Sequence, residues 1–122
     1  MAKIFNVKKF SDPRGNLAVV EAKDLGFEIK RVFYIWGADN EIRGRHAHKE
    51  TIQAAVALNG SCKFYVNNGV KKEEFLLDSP DKFLLLEPSD WHYMYDFKDN
   101  CILEVFANKT YDPEDYIYDE PK

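Results

Sequence analysis

Turn-forming clusters interrupt this chain so often that they leave almost no room for helix. Ser11-Asp12-Pro13-Arg14-Gly15, Asn59-Gly60, Asn67-Asn68-Gly69, Asp78-Ser79-Pro80-Asp81, Glu87-Pro88-Ser89-Asp90 and Asp99-Asn100 each join residues that impose or tolerate turn geometry. The runs between them are rich in β-branched and aromatic side chains, the aromatics alone making up 15% of the chain, and such runs favour strands. Strands are predicted over Lys3 to Val7, Asn16 to Ala22, Ile29 to Trp36, Thr51 to Leu58 and Lys82 to Leu86, with two more around His46 and His92 and a last from Cys101 to Ala107. Ser61 to Val66 and Val70 to Leu77 form the clearest hairpin, joined through Asn67-Asn68-Gly69. In Ile29 to Trp36 the side chains of Arg31, Phe33 and Ile35 alternate with Val32, Tyr34 and Trp36, so both faces look covered and a central strand is expected. Asp112-Pro113-Glu114-Asp115 has the form of a capped helical turn. The expected fold is all-β, an antiparallel sandwich or barrel.

Size and charge narrow the function. At 122 residues the chain is expected to be a single domain, residues 1–122, with a real core. Its 17 basic and 21 acidic residues are mixed along the chain to a net charge of −4, so no positive stripe exists to follow a phosphate backbone and no nucleic-acid partner is expected. Met1 to Asn6 lacks an apolar signal core, and the longest apolar runs fall far short of the roughly 20 residues of a membrane helix. A soluble, cytoplasmic protein without a membrane partner is the expectation. Cys62 and Cys101 each sit inside an apolar run and read as buried free thiols.

The chemistry concentrates in Arg43-Gly44-Arg45-His46-Ala47-His48, which holds two of the three histidines. Residues two apart on a strand share a face, so His46 and His48 converge on one spot. A facing imidazole pair suits proton transfer or metal binding near neutral pH. His92 lies in a similar strand much later. Gln53 has the opposite parity to the pair, so it joins them only if Lys49 to Thr51 makes a bulge or bend.

His46-Ala47-His48, Gln53, Gly60 and His92 resemble the cupin pattern, a jelly roll whose mouth carries His-x-His, a Glu and a later His. Gln53 stands where that pattern has Glu, and a neutral amide is a weaker ligand for a hard divalent ion, so no metal is expected. The second cupin motif is looser: Pro88 precedes His92 by four residues, Asp90 stands where Gly is common and Asp96 replaces a frequent Asn. A closer resemblance covers nearly the whole chain. Asp12-Pro13-Arg14-Gly15, Ile29 to Ile35, Arg43 to His48, Leu58-Asn59-Gly60-Ser61-Cys62, Trp91-His92 and the Tyr111 to Tyr116 tail are similar to the small cupin enzymes that isomerise dTDP-4-keto-6-deoxyglucose, the sugar-nucleotide 3,4-ketoisomerases.

That resemblance implies an enzyme needing no metal or cofactor, a dTDP-linked 4-keto-6-deoxy sugar as substrate, and a homodimer, to which an exchanged N-terminal strand would contribute. The residue chemistry suggests roles for that reaction, with the order within the histidine pair left open. His48 is the expected principal base and His46 the partner that relays protons. Arg14, Arg31 and Arg43 suit the diphosphate or sugar oxygens because a planar guanidinium binds them bidentately. Tyr34 hydrogen-bonds the sugar, while Gln53 and His92 orient the histidine pair. Two other readings compete: a metal-dependent cupin using His46, His48 and His92, and a sugar-nucleotide-binding cupin without turnover.

Overall fold

Two long strands run through the centre of the protein and every other strand of the main sheet is arranged on them or their neighbours. The computed structural model describes all residues, Met1–Lys122. In order, the elements are β1 (Lys3–Asn6), β2 (Lys8–Asp12), β3 (Gly15–Val19), α1 (Ala22–Leu25), β4 (Arg31–Trp36), β5 (Arg43–His48), β6 (Gln53–Asn67), β7 (Lys72–Leu77), β8 (Lys82–Leu86), β9 (Trp91–Ala107), a 3-10 turn (Pro113–Asp115) and β10 (Tyr116–Ile117). All pairings are antiparallel, and β2 and β3 form a separate two-stranded ribbon.

β6 and β9 pair with each other along their lengths, from Gln53 opposite Ala107 to Asn67 opposite Trp91, with register shifts between Ala57 and Lys63. Each changes its second partner at that bend. The first half of β6 pairs with β8, which pairs with β1, while the second half of β9 pairs with β4. The second half of β6 pairs with β7, while the first half of β9 pairs with β5, which pairs with β10. One continuous sheet is thus folded into two half-sheets. Ala55, Ala57, Leu84, Leu86, Leu103 and Val105 from the first meet Cys62, Phe64, Val66, Leu77, Met94 and Phe97 from the second in one core. The outer face of the first half-sheet carries a smaller core, where Ala54, Val56 and Phe83 meet Leu25 of α1. This is the jelly-roll architecture expected, open at its edges and not a closed barrel.

Several local expectations change. Asn59-Gly60 and Asp99-Asn100 do not end strands; they lie inside β6 and β9, where Gly60 (φ 62°), Asp99 (φ 57°) and Asn100 (φ 58°) take left-handed backbone that bends the sheet. The residues that favour a turn also favour a bulge, so the local signal was ambiguous. The strand expected over Asn16 to Ala22 stops at Val19, and a capping box between Glu21 and Asp24 starts α1. β4 is an edge strand, not a central one. Arg31, Phe33 and Ile35 turn inward, but Val32, Tyr34 and Trp36 face outward, with Tyr34 60% and Trp36 68% exposed. Cys62 and Cys101 are buried free thiols. No helix is long and apolar enough to cross a membrane.

Gly60 sits where the two long strands press closest. A Cβ there would lie 2.2 Å from the Lys98 carbonyl oxygen and 2.6 Å from that of Asp99. Gly37 has similar dihedrals (φ 71°) but open space around it. Gly37→Ala should therefore lose only the left-handed strain, about 1–2 kcal/mol. Gly60→Ala should lose clearly more, because backbone has to move; urea unfolding of both variants checks the difference, and equal losses would contradict it.

Candidate active site

A cavity of about 240 Å³ opens between the two half-sheets. From the first come Arg31, Phe33, Tyr34 and Ile35 of β4, Gln53, Leu86 and Val105; from the second come Arg43, His46, Phe64, His92, Met94 and Tyr116. Of the residues expected to form a site, Arg31, Tyr34, Arg43, His46, Gln53 and His92 all border this space. His48 stands just behind it, 5% exposed, its ring 5.2 Å from that of His46 and 4.6 Å from that of Tyr116. Arg14 is not brought there within the chain. It lies at the tip of the β2–β3 ribbon, paired with Asp12 at 2.8 Å.

A bulge decides which arginine faces the histidines. On a regular strand Arg43 would point away from His46, since their parity differs. Register shifts between Gly44 and His46, however, with Gly44 at φ 99° and Arg45 at φ 63°, so Arg43 and His46 both turn inward. Gly44 is needed for closeness too: a Cβ would sit 3.1 Å from the Met94 sulfur and 3.2 Å from the His92 carbonyl oxygen. Gln53 reaches the same space through the bend expected before it. That bend is pinned at one end by Lys49 N–H donating to the Asp115 carbonyl (2.8 Å) and at the other by Ile52 N–H donating to the Asn108 side chain (2.8 Å).

The three histidines share one pattern. Each Nδ1 faces an oxygen: His46 the Gly44 carbonyl at 3.2 Å, His48 the Asp115 carboxylate at 2.9 Å and His92 the Asp90 carbonyl at 3.0 Å. In the neutral ring Nδ1–H then donates, and Nε2 keeps a bare lone pair. The rings stand close, with His46 also 5.2 Å from His92. The His48 Nε2 is buried without any hydrogen-bond partner.

Electrostatics keep these rings neutral. Burial pushes His46 down to about 4, the nearby His48 adding to the effect and the Gly44 carbonyl opposing it. Burial pushes His92 down to about 3, against the Asp90 carbonyl. His48 is also lowered by burial and by the Arg31 charge, with Asp115 pulling the other way. For Asp115, burial favours the neutral acid, but hydrogen bonds from Thr51, the Glu50 amide and His48 outweigh it and hold the carboxyl below its ordinary range. Two arginines, three neutral imidazoles and an amide around one cavity form a site able to hold an anion and move protons. No group of three or more His, Cys, Asp or Glu side chains is arranged to grip a metal ion.

Asp115 and Tyr116 are site neighbours that strand parity does not find. Tyr116 packs its ring against both His46 (4.8 Å) and His48. Their sequence signals were the family-like tail from Tyr111 to Tyr116, which assigns neither a role, and the capped turn at Asp112, whose side chain accepts from the Glu114 amide at 3.0 Å.

Comparison with known proteins agrees with this architecture. A family model described as FdtA, WxcM-like, C-terminal, matches residues 1–122. The chain is 45% identical over 117 residues, 94% of its length and 84% of the relative's, to the TDP-4-oxo-6-deoxy-alpha-D-glucose-3,4-oxoisomerase of Aneurinibacillus thermoaerophilus. A His-to-Asn variant of the 3,4-ketoisomerase QdtA from Thermoanaerobacterium thermosaccharolyticum, solved with TDP-4-keto-6-deoxyglucose, superimposes with a TM-score of 0.93 at 34% identity, over 97% of this chain and 87% of that one. The WlaRB TDP-quinovose 3,4-ketoisomerase of Campylobacter jejuni gives 0.91 at 38% identity, over 97% and 92%. The chain therefore belongs to the FdtA family, the cupin-fold family of sugar-nucleotide 3,4-ketoisomerases that its sequence resembles.

Proposed function

We propose that this chain, acting as one domain, is a TDP-sugar 3,4-ketoisomerase that shifts the carbonyl of a TDP-4-keto-6-deoxyhexose from C4 to C3 by proton transfer alone. The observation that carries this is the cluster of neutral histidines with bare Nε2 atoms beside Arg31 and Arg43. A C4 ketone acidifies the C3 hydrogen. Its removal gives a 3,4-enediolate; a proton passes from the C3 oxygen to the C4 oxygen, and another returns to C4, leaving the 3-ketone. No electron leaves the substrate, so the reaction needs only bases, acids and donors to the enediolate oxygens.

His48 is the principal base, because only its ring has a carboxylate behind it to stabilise the imidazolium. His46, which fronts the cavity, shares and relays the proton. His92 packs edge-on against His46 and, with Gln53, holds the pair in place. Arg31 and Arg43 take the diphosphate, and Tyr34 at the rim bonds the sugar. The free thiols suit a reducing compartment, in line with a cytoplasmic enzyme.

The working form is a homodimer that exchanges the β2–β3 ribbon. A two-stranded ribbon is marginal alone, and here Phe10 and Leu17 lie 57% and 60% exposed on it while β4 offers an open edge. Packing the ribbon on a second copy would cover these side chains and carry Arg14 away from its own chain, toward the neighbour's site.

Proton NMR in deuterated water tests the activity: TDP-4-keto-6-deoxyglucose should give a 3-keto product, deuterated at C4 unless the proton is returned internally. Binding without turnover would make the protein a sugar-nucleotide binder. His48→Asn should cut kcat by about 100- to 10,000-fold with TDP affinity nearly unchanged; near-normal kcat would remove His48 from the mechanism. A base works only unprotonated, and these histidines titrate below the ordinary value of about 6.5, so kcat/KM should stay flat down to that pH and fall only below it. A midpoint above 6.5 would contradict neutral, buried rings. Sedimentation should show a dimer that Phe10→Ser with Leu17→Ser weakens at least tenfold; a monomeric parent protein would refute the exchange.

A further inference from the structure

The base proposed above is held by a residue that never reaches the cavity. Asp115 is buried at 6% exposure, in the 3-10 turn after β9, and is not part of the cavity wall. Its Oδ2 accepts from His48 Nδ1 at 2.9 Å and from the Thr51 hydroxyl at 2.5 Å, and its Oδ1 accepts from the Glu50 amide at 2.8 Å. Its own carbonyl accepts from the Lys49 amide, and the next residue, Tyr116, pairs with His48 across the β5–β10 ladder. Five consecutive residues of the active-site segment, His48 to Ile52, are thus fixed by this turn and by Asn108 just before it.

The chemistry of the contacts dictates a tautomer. The Glu50 amide can only donate, so Oδ1 is an acceptor. With the Thr51 hydroxyl also directed at Oδ2, an ionised carboxylate is a full set of acceptors, and His48 must then present Nδ1–H to it. The remaining nitrogen, Nε2, is left as a lone pair with no partner inside the protein. A buried unpaired acceptor is a cost that packing alone does not explain, since such groups are normally satisfied. The His48 ring packs beside the His46 and Tyr116 rings that wall the cavity.

We infer that Asp115, held ionised by Thr51 and the Glu50 amide, is a positioning residue that fixes His48 as the Nδ1–H tautomer, turns its basic Nε2 toward the reacting sugar and balances the imidazolium formed on proton uptake. This deepens the isomerase reading and rests on it for the step that His48 performs. It assigns Asp115 no contact with substrate.

Nitrogen-15 NMR of the unliganded protein reads the tautomer without any turnover. His48 should show a protonated Nδ1 and a pyridine-like Nε2; an Nε2–H signal would overturn the inference even if the enzyme is active. Asp115→Asn keeps the shape but removes the charge. It should lower kcat by about 100-fold or more while changing KM less than threefold, and mix the His48 tautomers. Because the carboxylate supports the protonated ring, its loss should also move the acid limb of kcat/KM to lower pH. Thr51→Val, which leaves the carboxylate in place, should retain the tautomer and lose less activity. A kcat for Asp115→Asn within threefold of the parent, with the acid limb unmoved, would overturn the assignment. A parent protein with the expected tautomer but no turnover would instead count against the isomerase reading alone.

Discussion

The antiparallel ladder between β6 and β9 is the constraint on which the rest depends. Two strands of this length cannot stay flat, since twist accumulates along them. Left-handed residues at Gly60, Asp99 and Asn100 concentrate the bend at one level, and the sheet closes over itself. That bend creates both the core and the cavity: inward side chains near the middle pack against one another, while those toward the open end, from β4, β5 and the flanking strands, stay far enough apart to leave a space. Gly60, which the cupin pattern places seven residues beyond Gln53, is therefore a packing requirement of the bend and not a chemical group.

Within the cavity, burial and charge act against each other in a useful way. Taking an imidazole out of water disfavours its cation, and here the effect is large enough to keep His46 and His92 neutral well below pH 7. A positively charged Arg31 nearby pushes His48 in the same direction. A site shaped by burial and that positive charge alone would have poor bases. Asp115 opposes that shift at His48 alone, and the proposed division of roles among three otherwise similar histidines rests on this difference.

Much of this was legible in residue order. Two-residue spacing put His46 and His48 on one face, and opposite parity correctly required a bend before Gln53. Alternation in Arg31 to Trp36 assigned the right residues to each face. It could not say whether the second face was covered, because an aromatic outer row reads the same whether a neighbour packs on it or the edge is open. The bulge at Arg45, which brings Arg43 to the site, was hidden for a similar reason: any residue can take the extra place, and Gly44 was the only hint. Asp115 was least accessible. It meets His48 across 67 positions, and no local periodicity links a turn in the tail to a ring in a strand. Arg14 matches the family segment yet stands apart from the cavity of its own chain, paired with Asp12.

The place of Asp115 along the chain also sets an order of events during synthesis. The strands that supply Arg31, Arg43, His46 and His48 emerge early, and the main ladder, with His92, is complete once β9 has formed. The turn and short strand that seat His48 follow all of these, so a nascent chain can gather its core before the Asp115 contact to His48 forms. Non-local pairings close slowly, and this one comes late. On the mechanism proposed, catalytic competence would then follow compactness, and fraying of a few residues after β9 would release the contacts to His48 while leaving the β6–β9 ladder paired.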